Sequence, residues 1–127
     1  MKPKLEIDFN NEIVDNGNRV KYQKQENNTL FWNRIYYTGK DKERIKEITY
    51  ILDEGFPNPE RKTMDRKNDF EIIIWSLGES VIEVIITTID GNEYTKYFKI
   101  NFEDELKQAI NDRDKNGIEF VNVGDSD

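Results

Sequence analysis

Apolar residues recur at every second position in one short run after another along this chain, and most of these runs stop at Gly, Asn or Asp. Such alternation puts successive side chains on opposite faces of an extended strand, so the chain is predicted to fold as half-buried β-sheet. Leu5, Ile7 and Phe9 alternate with Glu6 and Asp8 and stop at Asn10-Asn11. Asp15-Asn16-Gly17-Asn18 reads as a tight turn into a strand with Val20 and Tyr22 inward. Leu30 to Thr38 places Trp32 and Tyr36 on one face and Phe31, Ile35 and Tyr37 on the other. Ile48, Tyr50 and Leu52 form the inward row of the next strand, and a charged loop is expected from Glu60 to Asn68. Phe70 to Leu77 is almost wholly apolar, the pattern of a central strand covered on both faces. Val81 to Ile89 and Tyr94 to Phe102 flank Asp90-Gly91, the strongest hairpin signal in the chain.

Seven to eight short strands without an intervening helix predict an all-β antiparallel sandwich. Only Glu103 to Ile110 departs from period two. It is predicted to form about two helical turns, with its acidic residues at the end the dipole favours. The expected organisation is therefore a β-sandwich domain over residues 1–103 and an acidic C-terminal helix and tail over 104–127.

The 127 residues contain no cysteine and no histidine. This excludes disulfides, thiol nucleophiles and Ser-His-Asp triads, and most transition-metal sites, so neither cofactor nor metal is expected and the chain is not read as an enzyme. A net charge of −7 argues against nucleic-acid backbone binding and favours a cationic protein or peptide partner. No segment approaches the run of about 18 apolar residues that a membrane span requires. A cytoplasmic protein that does not engage a membrane is the expectation.

The segment Tyr50-Ile51-Leu52-Asp53-Glu54-Gly55-Phe56-Pro57-Asn58-Pro59-Glu60-Arg61 stands out. Prolines one residue apart cannot both serve a sheet ladder, so they stiffen a turn that presents Phe56 at a sheet edge. Rigid loops bearing an aromatic ring are common recognition surfaces.

In order along the chain come Trp32, Gly39, Ile48 to Leu52, the Phe56-Pro57-Asn58-Pro59-Glu60-Arg61-Lys62 turn, Phe70, Gly78-Glu79 and Asp90-Gly91. That succession resembles the YEATS domain family, and its prokaryotic branch most of all. The resemblance covers residues 19–103, and the prolyl turn is its most specific element. It implies an immunoglobulin-like sandwich. Eukaryotic members read acylated lysine by stacking the flat amide between loop aromatics, which an unmodified, hydrated ammonium does not match. Carried over by position, the turn aromatic falls on Phe56. The family's loop histidine falls near Asp53 and its serine on Gly55. The second loop reads Ser76-Leu77-Gly78-Glu79-Ser80, with Leu77 and Ser80 where the family shows aromatics and Trp75 two residues upstream of Leu77.

The resulting expectation is a non-catalytic module that recognises a peptide, a modified side chain or a partner protein. Its candidate ligand-binding residues are Asp53, Gly55, Phe56, Trp75, Ser76, Leu77, Gly78 and Ser80. The alternative is an assembly subunit associating through sheet edges, and an acyl-lysine reader with a reduced aromatic slot is a third reading. Trp32 and Trp75 also suit a core or a sheet face. Asp112 to Gly117 resembles the start of a calcium loop, but Val123 stands where a bidentate Glu is needed, so it is read as a turn.

Overall fold

The computed structural model describes residues 3–15, 18–54, 56–77, 79–112 and 117–123. Ten strands and one helix follow in order among them: β1 (Phe9–Glu12), β2 (Val14–Asp15), β3 (Arg19–Lys24), β4 (Thr29–Tyr37), β5 (Ile45–Ile51), β6 (Glu60–Thr63), β7 (Ile72–Ser76), β8 (Glu79–Thr88), β9 (Glu93–Asn101), α1 (Glu103–Asp112) and β10 (Glu119–Asn122). One sheet has the order β1-β4-β3-β10, with β2 also on β3 and β7 on β4. The other has the order β6-β5-β8-β9. The chain forms two interleaved compact units: residues 1–10, 35–72 and 81–99, and residues 11–34, 73–80 and 100–127.

The first unit is organised around Phe9. Its ring meets Tyr37 at 5.4 Å and Tyr50 at 5.8 Å edge-on, and Phe98 at 6.0 Å. Phe9 and Tyr37 belong to one sheet and Tyr50 and Phe98 to the other, so this cluster is where the two layers face each other. The Tyr50 hydroxyl donates to the Phe70 carbonyl at 2.6 Å, which satisfies the one polar atom this ring buries.

The alternation of Leu5, Ile7 and Phe9 does not produce the expected strand, because the ladder begins only at Phe9. Residues 3–8 are strapped down by side chains instead. Tyr94 donates to the Pro3 carbonyl, Arg44 to Lys4 at 3.0 Å, Tyr37 to Glu6 at 2.5 Å and Lys96 to Ile7 at 2.8 Å. Four backbone acceptors are thus paired without a neighbouring strand. Gly39 lies against this strap, where a Cβ would fall 2.3 Å from the Tyr37 hydroxyl and 2.5 Å from the Glu6 carbonyl.

Ile45 and Ile48 are both fully buried although their positions differ in parity. A register shift between Ile45 and Glu47 against β8 explains this, since one extra residue turns the later side chains to the other face. From there Ile48, Tyr50 and Leu52 point inward as their alternation predicts. Across the β8–β9 hairpin, Gly91 adopts φ 88° and donates to the Thr88 carbonyl at 3.0 Å. The Thr88 hydroxyl donates to the Asp90 carboxylate and holds it below its ordinary carboxylate pKa.

Glu60 to Thr63, expected as loop, is the edge strand β6, with Ile51 opposite Glu60 and Ile48 opposite Thr63. Its alternation is polar because an edge strand needs charge more than apolar side chains. The apolar run after Phe70 is not covered on both faces either. In β7, Ile72, Ile74 and Ser76 are buried, while Ile73 is 39% exposed and Leu77, just beyond the strand, 47%.

In the second unit, α1 starts with the Phe102 carbonyl accepting from Leu106 N–H at 2.8 Å and the Asn101 side chain accepting from Glu103 N–H at 3.1 Å. Glu105 turns inward, and the Ile13 N–H donates to its two carboxylate oxygens at 3.1 and 3.2 Å. The strand β10 was not legible in the sequence. It lies parallel to β3, with Phe120 opposite Val20 and Asn122 opposite Tyr22. The calcium-like segment at residues 113–116 lies outside the described residues. Among the described residues no helix is long and apolar enough to cross a membrane, and no group of Asp and Glu is arranged to hold a metal.

Two predictions concern stability. Burial raises the Tyr37 phenol to about 12, with the charges of Asp41 and Glu6 adding to it. The folded chain therefore keeps a proton that the unfolded chain loses near pH 10. Tyr37's contribution is complete below pH 10 and lost as pH rises through 12. The free energy of unfolding measured with denaturant should fall by roughly 1 kcal/mol across that window, less than the full shift because solvent screens part of it, and Tyr37→Phe should remove that part of the fall. Desolvation raises the Glu105 pKa against the opposing hydrogen bond from Ile13, so Glu105 contributes stability at low pH that is lost as the carboxyl ionises. Glu105→Gln, which keeps an acceptor, should match or exceed the original stability at pH 7. Glu105→Ala should cost about 1–3 kcal/mol by leaving Ile13 N–H unpaired.

Candidate functional site

The prolyl segment connects β5 to β6 as the loop of a hairpin. Leu52 N–H donates to the Pro59 carbonyl at 2.7 Å, so the ladder runs to the base of the loop and uses the one backbone group that proline retains. Phe56 N–H donates to the Asp53 carbonyl at 3.0 Å, which closes a turn over Asp53 to Phe56. Asn58 takes φ 50°, a conformation that Asn tolerates better than most residues.

Arg61 holds the loop from the start of β6. Its Nε donates to the Asn58 carbonyl at 2.6 Å and its Nη2 to the Pro57 carbonyl at 2.8 Å. Arg66 donates to the Ile45 carbonyl at 2.7 Å. Arg61 and Arg66 therefore both act as donors to backbone carbonyls.

Phe56 is half-buried in this clamped loop, while Asp53, Glu54, Pro57, Asn58 and Pro59 are exposed. Gly55 lies outside the described residues. The ring is therefore partly accessible to solvent.

The second candidate segment belongs to the other unit and has a different character. β7 and β8 lie in different sheets, so they do not pair as a hairpin. Ser76 is 1% exposed, and its hydroxyl accepts from Asn33 Nδ2 at 3.2 Å. Asn33 in turn accepts from Asn11 at 3.4 Å, which satisfies a buried polar row. Ser76 thus faces the interior, whereas Trp75 is half-buried and shares the outward row of β7 with Ile73 and Leu77. Ser80 is half-buried and Gly78 lies outside the described residues. Trp32 is on a sheet face, with the Lys21 ammonium 5.6 Å from its ring centre.

A third feature was missed in the sequence. Tyr22, Lys24, Thr29, Phe31, Leu106, Ile110 and Phe120 line a groove of about 240 Å³ between β3, β4, β10 and α1. Its rows of period two and its Leu106/Ile110 spacing were visible, but the pairing that assembles them was not.

The Arg61 clamp can be tested directly. Arg61→Ala should cost about 1 kcal/mol, because two carbonyls lose their donors at an exposed site. It should also speed amide exchange at Phe56 and Leu52 well beyond the change at β8. Asn58→Gly should leave stability unchanged or raised, whereas Asn58→Val should cost about 1–2 kcal/mol at this positive φ.

No curated protein matches the sequence significantly. Among solved structures, the Yaf9 YEATS domain recognising a succinylated H3 peptide superposes with a TM-score of 0.57 at 16% identity, over 80% of this chain and 73% of that one. The yeast AF-9 homologue Yaf9 gives 0.53 at 18% identity, over 65% and 63%. The Yaf9 YEATS domain bound to acetylated H3 gives 0.52 at 16% identity, over 76% and 70%. At these identities the likeness concerns the fold, an immunoglobulin-like β-sandwich, as the alternation and the resemblance implied. The family model of the prokaryotic YEATS domain matches residues 34–101, more than half of the chain, and with them β5, the prolyl hairpin and β7 to β9. The chain belongs to the prokaryotic YEATS domain family.

Proposed function

We propose that this chain is a non-catalytic recognition module that binds a basic peptide through the prolyl hairpin around Phe56. The observation that carries the proposal is the Arg61-clamped loop, which fixes a half-buried aromatic ring among exposed residues. Family membership supports it, as does peptide recognition by the Yaf9 domains of the same fold. In this reading Asp53 and Gly55 border the Phe56 contact, and Asp53 and Glu54 attract the peptide's positive charge. Trp75, Leu77, Gly78 and Ser80 are proposed as a contact in their own right, with Ser76 supporting it from the interior through Asn33.

Leu77 and Ser80 are not aromatic, so an acyl amide here finds fewer rings to stack on, and the peptide around the lysine carries more of the binding. Exposed Glu60 and Lys62 on β6 disfavour strand addition at that edge, which supports recognition over assembly there.

The test is NMR titration with an H3-like basic peptide carrying acetyl-lysine, succinyl-lysine or unmodified lysine. Binding should shift the Phe56 resonances, and Phe56→Ala should weaken it about tenfold. A preference for the acylated forms of less than about tenfold is expected from the reduced ring set. Absence of any shift at Phe56, Leu77 or Gly78 up to millimolar peptide would overturn the proposal.

A further inference from the structure

The groove under α1 has a built chemistry that the family does not account for, since every residue lining it lies outside residues 34–101. Its floor follows from strand register. Tyr22 stands opposite Phe31 and Lys24 opposite Thr29 across β3 and β4, so these four side chains share one face in two layers. The aromatic layer comes first, with ring centres 6.3 Å apart, and the polar layer lies at the strand ends. Phe120 joins the same face because β10 runs parallel to β3 with Phe120 opposite Val20 and Asn122 opposite Tyr22. Leu106 and Ile110, four residues apart on α1, form the facing wall, and Ile110 remains 47% exposed.

The Lys24 ammonium and the Tyr22 and Thr29 hydroxyls have no side-chain hydrogen bond or ion pair among the described residues. Among the described residues Lys24 is the single charged residue lining the groove, in a chain whose net charge is −7. An apolar lining that adjoins a polar layer of Lys24 and Thr29 complements an apolar group carrying one carboxylate. Drug-sized ligands take cavities of roughly 300–1,000 Å³, so this groove suits a single ring or branched chain.

We propose that the groove formed by Tyr22, Phe31, Phe120, Leu106 and Ile110 binds a small hydrophobic carboxylate, with its anionic end on Lys24 and the Tyr22 and Thr29 hydroxyls. The same chemistry is carried by a free aryl or branched-chain acid and by the terminal residue of a peptide ending in a free carboxylate. The site is separate from the prolyl hairpin and does not depend on peptide binding there.

The test uses the full chain and 3-phenylpropionate, with 3-phenylpropionamide and acetate as controls, followed by NMR shifts and calorimetry. The acid should shift Tyr22, Phe31, Leu106, Ile110 and Phe120. The amide should bind about tenfold more weakly for want of the charge-assisted bond, and acetate should not shift the apolar residues. Lys24→Gln, a surface change, should remove the preference of acid over amide while leaving amide affinity unchanged, an outcome that misfolding would not produce. A tetrapeptide ending in Phe with a free carboxylate, compared with its amidated form, identifies the source: tighter binding than the free acid marks a chain terminus, weaker binding a small molecule, and either supports the site. Equal affinity for acid and amide in the unmodified protein, or no shift in the lining residues at ten millimolar acid, would overturn the proposal.

Discussion

The contact on which the first unit depends is the one Phe9 makes with Tyr37, Tyr50 and Phe98. These rings come from both sheets, and their edge-on packing lets one aromatic residue serve two layers at once. Placing Tyr50 there orients β5, and β5 delivers Leu52 and the prolyl loop to their positions two residues later. The prolyl loop is therefore a direct continuation of the core. It is held from two sides, by a ladder that closes at Pro59 and by Arg61 on the Pro57 and Asn58 carbonyls.

A second theme is how backbone polar groups are satisfied where strands are missing. Residues 3–8 run beside the sheet without a ladder and are held by Tyr37, Arg44, Tyr94 and Lys96. Phe70 shows the cost of the same economy. It is fully buried at φ 53°, next to Asp69 at φ 58°, a backbone arrangement that bulky residues avoid. Hydrogen bonds from Phe70 N–H to Asp65 and from Tyr37 N–H to Asp69 offset it, and together they turn the chain into β7. The unit tolerates local strain because its neighbours determine the path.

Period two was enough to identify β3, β4, β5, β8 and β9, since each has one face against the core and one against water. It failed where that condition fails. The strand β6 buries little and so carries no apolar row, and residues 3–8 carry the row without the ladder. The apolar outward row of β7, Ile73, Trp75 and Leu77, made a one-sided strand look two-sided. The hairpin candidates were legible because proline and glycine act through local backbone geometry. Ser76 was read as a loop residue because its partner Asn33 is 43 positions away in the sequence.

The sequence by itself determined the all-β class, the hairpin at Asp90-Gly91, the stiff turn around Phe56 and the absence of thiol and imidazole chemistry. All of these depend on residue type or on neighbours a few positions apart. Tertiary structure alone decided that Ser76 faces inward, that β10 joins β3 in parallel and that seven residues from four elements line a groove. Those outcomes rest on pairing between distant segments, whose register is set by packing of the whole sheet and leaves no local trace in the order of the residues.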